Sequence, residues 1–300
     1  MGNYNLLFCL FVSICSFLGS LLILLKTKSF LQLKLLDKPN QRSSHSLPTP
    51  SGGGISFVLS GSLGNLLLGN YTAILCLPLA FIGFLDDMRS ISPFTRYISQ
   101  IITVLFLIYF SSFQELISLN FSGFLYFISL VILIILATGI INFCNFIDGL
   151  DGLLASCVSF VFLTFVLIGD LSTLPMIGAC LGFLIWNWPP AKIFMGDVGS
   201  TFIGALYVGF ILESSDLLIA LAKFLLLTPI IADCVFCIIR RFIRGDNIFK
   251  AHKLHLYQRL NQAGWNHSKV TITYSSSILV LSLSYILLGL QGLILFSTFI

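Results

Sequence analysis

The sequence predicts an all-α polytopic integral membrane protein. Hydrophobic residues make up 57% of its 300 residues and charged residues 9%, against the quarter or so that a soluble domain carries. The apolar runs are continuous, with none of the period-two alternation of barrel strands. Nearly every residue falls in a bilayer-length segment or a short connection. In lipid each backbone N–H and C=O must pair inside its own element, which favours helices. A single membrane domain is expected over residues 1–300.

Spans are expected near residues 4–25, 53–69, 71–85, 96–112, 124–141, 153–169, 174–188, 199–212, 217–239 and 269–288, ten in all, or eleven with a short one at 289–300. The first run has no basic residue ahead of it and is about bilayer length, so it is expected to remain as a span rather than be cleaved as a signal. With the N-terminus outside, five connections face the cytoplasm: 26–52, 86–95, 142–152, 189–198 and 240–268. Fifteen of the sixteen Lys and Arg then lie in or at the edges of these, Lys223 being the exception. That is the positive-inside asymmetry. Eight of the twelve acids fall on the same side. Basic anchors there are ordinary, but carboxylates at helix ends are costly and point to function. The eight cysteines lie mostly in apolar runs; Cys234-x-x-Cys237 has no second ligand pair beside it and is expected to pack rather than bind metal.

The cytoplasmic connections carry the chemistry. The first contains Arg42, His45, Pro48 and Pro50, then Gly52, Gly53 and Gly54 opening a helix; such glycines either let backbone N–H groups approach an anion or let helices pack closely. The second begins with Asp86 and Asp87, adjacent carboxylates at the end of a span. Their repulsion is relieved by a cation, or by one of them holding a proton that it can exchange with a substrate, or they simply cap the next helix. The third, Asn142-Phe-Cys-Asn145-Phe-Ile-Asp148-Gly-Leu-Asp151-Gly, puts two Asn, two Asp and two Gly between two apolar runs. The fourth holds Asp197 just before a helix, where it can act as a cap. Asp and Asn oxygens from separate helices are what Mg²⁺ accepts, and it usually keeps positions for water and substrate phosphates. The fifth is the most basic, and on a helix His252, His255 and Arg259 share one face, a surface suited to a diphosphate and a sugar.

Taken together, Asp86-Asp87 after a span, Asn142-x-x-Asn145-x-x-Asp148-Gly-x-Asp151-Gly and Phe194-Met-Gly-Asp197-x-Gly-Ser resemble the motifs of the polyprenyl-phosphate N-acetylhexosamine-1-phosphate transferases. This is the glycosyltransferase family that includes phospho-N-acetylmuramoyl-pentapeptide transferase. Arg42-Ser-Ser-His45-x-x-Pro48-Thr-Pro50 and Ala251-His252-x-x-His255-x-Tyr257-Gln258 resemble the branch that initiates O-antigen and related surface polysaccharides. Ser51 stands where that branch commonly has a basic residue, and two spaced histidines replace the denser cluster of the peptidoglycan enzymes.

The resemblance implies transfer of a sugar-1-phosphate from a UDP-N-acetylhexosamine to polyprenyl (undecaprenyl) phosphate, with release of UMP, at the cytoplasmic face of a bacterial inner membrane. It implies Mg²⁺, with Mn²⁺ as a substitute, held by Asn145 and Asp197. Asp148 and Asp151 would support the metal or position the diphosphate, Asp86 and Asp87 would bind or deprotonate the lipid phosphate, and His45, Asn142, His252, His255 and Arg259 would contact substrate. Pathways implied are lipopolysaccharide and cell-wall biogenesis. A homodimer is left open and no nucleic-acid partner is expected. The rival readings are a membrane transporter, whose acids should be spread through the bilayer depth, and a non-catalytic scaffold of a polysaccharide assembly complex.

Overall fold

The computed structural model describes residues 5–39, 47–120, 122–247, 250 and 252–299. In chain order the elements are α1 Leu6–Lys34, β1 Leu36–Asp37, β2 Thr49–Pro50, α2 Ile55–Leu67, α3 Thr72–Met88, α4 Pro93–Tyr109, α5 Phe113–Asn120, α6 Gly123–Ile147 and α7 Leu153–Leu167. A 3₁₀ turn, Leu171–Thr173, leads into α8 Leu174–Asn187, then α9 Asp197–Leu212, α10 Leu217–Leu225, α11 Thr228–Ile243, α12 Leu256–Gln262 and α13 His267–Ser297. The two short strands pair antiparallel, Leu36 with Pro50 and Asp37 with Thr49, and clip the base of the first long connection.

All ten predicted spans are helical, as an all-α polytopic membrane protein requires. Three helices, α1, α6 and α13, are long and apolar enough to cross a bilayer alone, and two bent pairs, α4 with α5 and α10 with α11, qualify when each is taken as one span; α2, α7, α8 and α9 are shorter apolar helices. The α10–α11 pair was expected as one straight run. It bends by 69° just before Pro229 at the start of α11, where a residue without an N–H cannot continue the preceding ladder. Helix α1 runs to Lys34, past the expected end at residue 25, because no residue there breaks it and Lys34 in the last turn suits the helix dipole.

One face of α1 buries Cys9, Val12, Ser16, Ser20 and Leu24, while Leu7, Phe11, Ile14, Leu18, Leu22 and Leu25 are exposed. A continuous apolar stripe of that length suits lipid rather than water.

Helix α9 is the centre of the bundle. Every residue from Val198 to Phe210 is buried, and α3, α6, α4, α2 and α10 pack around it, so its sequence is apolar on all sides. Close approach is set by small residues. A Cβ on Gly83 of α3 would come within 2.5 Å of the Asp197 carbonyl oxygen, and one on Gly204 of α9 within 2.7 Å of the Ile141 Cα on α6. These contacts bring the ends of α3, α6 and α9 to one point.

Candidate active site

That point is a cavity of about 660 Å³, walled by Asp87 and Met88 from α3, Asn145 from α6, Asp148 to Asp151 from the turn that follows, and Phe194 to Asp197 from the approach to α9. Lys34, Asp37, Asn187, Gln258 and His267 also line it.

The two adjacent acids of α3 part company. Asp87 turns to α9 and accepts the N–H groups of Asp197 at 2.9 Å and Val198 at 3.1 Å. It thereby satisfies two orphan donors of the α9 N-terminus from outside that helix. Gly196 makes this fit: its φ is +76°, and a Cβ there would meet Asp87 Oδ2 at 2.5 Å. Asp86 turns the other way. It accepts from the Ile91 N–H at 2.6 Å and from Arg96 Nη1 at 2.8 Å, and it is not among the cavity-lining residues.

On α6, Asn145 donates through Nδ2 to Asp197 Oδ1 at 2.7 Å and to Ser200 Oγ at 2.9 Å. Its amide nitrogen is therefore engaged, and its oxygen is what it can offer a cation. One turn earlier, Asn142 exchanges amide hydrogen bonds with Gln100 of α4, at 2.8 and 3.2 Å. Asn142 thus joins α4 to α6 outside the cavity wall.

Asp148 follows the last residue of α6 and projects into the cavity. Burial, then the negative charges of Asp197, Asp87 and Asp151, push its carboxyl well above the usual carboxylate range. Asp151 is braced instead: its Oδ2 accepts the Ala191 N–H at 2.9 Å and lies 3.1 Å from His267 Nδ1. Asp197 is reached by Arg96 at 3.3 Å on Oδ2.

The first connection settles one open choice. Gly53 and Gly54 donate their N–H groups to the carbonyls of Phe194 and Met195 at 2.9 and 2.8 Å. A Cβ on Gly54 would come within 2.5 Å of the Gly199 Cα. These glycines allow close backbone packing, and their N–H groups are not free for an anion. His45 and Arg42 lie outside the described residues.

The histidines of the last connection stand apart from the cavity. His255, 5% exposed, faces Asp233 at 3.3 Å through Nδ1, and neither it nor His252 nor Arg259 is among the cavity-lining residues. Burial, then the positive charge of Arg241, lowers the His252 imidazole to about 4. What reaches the cavity from this region is Gln258, together with His267 at the start of α13. Sequence reasoning had Gln258 in the last-loop motif without a role, and passed over His267 and Asn187, which holds the Gly152 N–H at 2.9 Å and the Ile193 carbonyl at 3.0 Å. The only sequence signal for His267 was a lone histidine at the edge of a basic loop.

The donors that face the cavity from α6, its following turn and α9 are oxygens: the Asn145 amide and the carboxylates of Asp148 and Asp197, with Asp87 behind them. Three acids within one pocket, of which Arg96 reaches Asp197 at 3.3 Å, fit a hard divalent cation, which takes oxygen ligands and relieves the repulsion. A carboxylate pushed up as far as Asp148 is the mark of a site lacking sufficient positive charge of its own.

The glycosyl transferase family 4 profile matches residues 70–215, the stretch from α3 through α9. A probable undecaprenyl-phosphate N-acetylglucosaminyl 1-phosphate transferase of Bacillus subtilis is 29% identical over 86% of this chain and 78% of its own length. A phospho-N-acetylmuramoyl-pentapeptide-transferase of Orientia tsutsugamushi is 34% identical over 40% of this chain, and a decaprenyl-phosphate N-acetylglucosaminephosphotransferase of Mycobacterium tuberculosis is 37% identical over 32%. The last two alignments span 32% and 27% of those proteins' lengths. The stretch that the family profile matches supplies α3, α6 and α9, the helices that bring Asp87, Asn145, Asp148 and Asp197 together, and over that stretch the chain is similar to glycosyl transferase family 4.

Proposed function

We propose that the protein transfers N-acetylhexosamine-1-phosphate from a UDP-sugar to undecaprenyl or a similar polyprenyl phosphate and releases UMP, as the initiating step of O-antigen or related surface-polysaccharide synthesis. The observation that carries this reading is the convergence of Asn145, Asp148 and Asp197 oxygens in one cavity at the end of the bundle where Lys and Arg are concentrated. By the positive-inside bias that end faces the cytoplasm of a bacterial inner membrane. A soluble UDP-sugar and a membrane-borne lipid phosphate can meet there.

In the reaction a lipid phosphate oxygen forms a bond to the sugar-linked phosphorus, and the bond from that phosphorus to the bridging oxygen breaks, leaving UMP. Bound Mg²⁺ would neutralise charge on the diphosphate, as metal clamps do in phosphoryl transfer. Asn145, Asp148 and Asp197 are the residues that would hold it. Asp87 keeps Asp197 in place by fixing the α9 N-terminus. Asp151, braced by Ala191 and His267, sets the position of the turn that carries Asp148. Lys34 on the cavity wall is placed to meet a phosphate.

A UDP-N-acetylglucosamine carrying phosphorus-32 in its sugar-linked phosphate tests this. The label should move into the organic phase with the lipid. Label remaining in water as UDP, with sugar alone in the lipid, would contradict it.

A further inference from the structure

Away from the carboxylate cavity, Cys237 on α11 and His252 and His255 ahead of α12 each bring one ligand atom to within 4.8 Å of the others. The sequence paired Cys237 with Cys234, yet Cys234 Sγ points to the Phe143 carbonyl at 3.8 Å. The thiol that meets the histidines is Cys237. His255 is held by a built arrangement rather than by chance. Asp233, one turn back on α11, accepts the Leu256 N–H at 2.7 Å, the Tyr257 N–H at 3.1 Å and the Tyr274 hydroxyl at 2.6 Å, and faces His255 Nδ1 at 3.3 Å. An acceptor at that nitrogen favours the tautomer with the proton on Nδ1, which leaves the Nε2 lone pair available to an ion. That is how carboxylates orient metal-bound histidines. The His252 ring centroid lies 5.0 Å from that of His255, and Cys237 and His255 are each 5% exposed.

We propose that Cys237, His252 and His255 form a binding site for a divalent ion of the zinc type, with Asp233 orienting His255 and solvent completing the coordination. Sulfur and imidazole donors select Zn²⁺ or Co²⁺ over Mg²⁺, which prefers oxygen. The ion would tie the last connection to α11. It would thereby steady Tyr257, whose hydroxyl donates to the Phe146 carbonyl at 2.9 Å, beside the wall of the carboxylate cavity. This inference stands independently of the transferase reading.

The test uses the full chain purified in detergent, stripped of metal and titrated with Co²⁺. Wild type should take up about one equivalent with a near-ultraviolet thiolate-to-cobalt absorption. Cys237→Ser and His252→Gln should lose that absorption, while Cys234→Ser and Asp148→Asn retain it. Zinc should also raise the unfolding temperature of wild type and not that of His252→Gln. Folded wild type without a thiolate band, or a band that survives Cys237→Ser, would overturn the proposal.

Discussion

Asp87 of α3 accepts the backbone N–H of Asp197 at 2.9 Å, so one acid of the site holds another by capping its helix. Asp87→Asn leaves one acceptor oxygen for two N–H groups. We expect it to lower stability by ~1–2 kcal/mol, the usual worth of a lost cap, and to reduce activity by loosening Asp197. Thermal unfolding in detergent measures the first effect, and an unchanged midpoint would contradict the capping role.

Asp148→Asn should separate stability from activity. The folded protein raises the Asp148 carboxyl, so its contribution to stability is complete below the ordinary carboxylate range, about pH 4, and fades as pH rises through the folded value. Metal-free wild type should therefore lose thermal stability as pH rises above the ordinary carboxylate range, and the variant should be flatter with pH and more stable at neutral pH. Its activity should fall by about a hundredfold, as when one preorganised electrostatic partner is removed. Unfolding midpoints across pH, without added metal, check the sign.

Arg96 reaches both Asp86 and Asp197, at 2.8 and 3.3 Å, and its side chain is 39% exposed. Its worth to stability is small, because exposed ion pairs are screened. Arg96→Gln removes positive charge beside the proposed cation site, so the Mg²⁺ concentration for half-maximal activity should fall severalfold. A titration of activity against Mg²⁺ reads this directly, and an increase in the Mg²⁺ requirement would contradict the electrostatic account.

Gly149 lies under Tyr257, and a Cβ there would collide with the tyrosine hydroxyl. Gly149→Ala should displace Tyr257 from the Phe146 carbonyl and cost activity as the turn carrying Asp148 shifts. Tyr257→Phe, which removes the colliding oxygen, should partly rescue it. Kinetics on the two single variants and the double variant form the cycle, and strictly additive losses would mean that the contact is not the cause.

Much of this was legible in the chain itself. Continuous apolar runs fixed the helices, because lipid leaves the backbone few alternatives. The break between α10 and α11 was less legible: Leu226 and Leu227 are apolar, and only Pro229 hints that the ladder stops. At the site, the acids were recognisable because carboxylates at span ends have few structural excuses. Their division of labour was not. Nothing in Asp86-Asp87 says that one turns to Arg96 and the other to α9, since that depends on Gly83 and Gly196 letting α3 and α9 approach. The same limit applies to His267, which reaches the cavity only because α13 returns beside α7. Helical spacing put His252, His255 and Arg259 on one face, but residues 252–255 precede α12, so that spacing did not apply to both histidines.

UMP release tests the central claim most directly. Detergent-purified protein would be given undecaprenyl phosphate, Mg²⁺ and a panel of UDP-N-acetylhexosamines, and compared with Asp197→Asn. UMP should appear with one donor, only when lipid and metal are both present, and the variant should be slower by about a hundredfold. UMP formed equally fast by folded Asp197→Asn, or none formed from any donor with a competent lipid, would contradict the account.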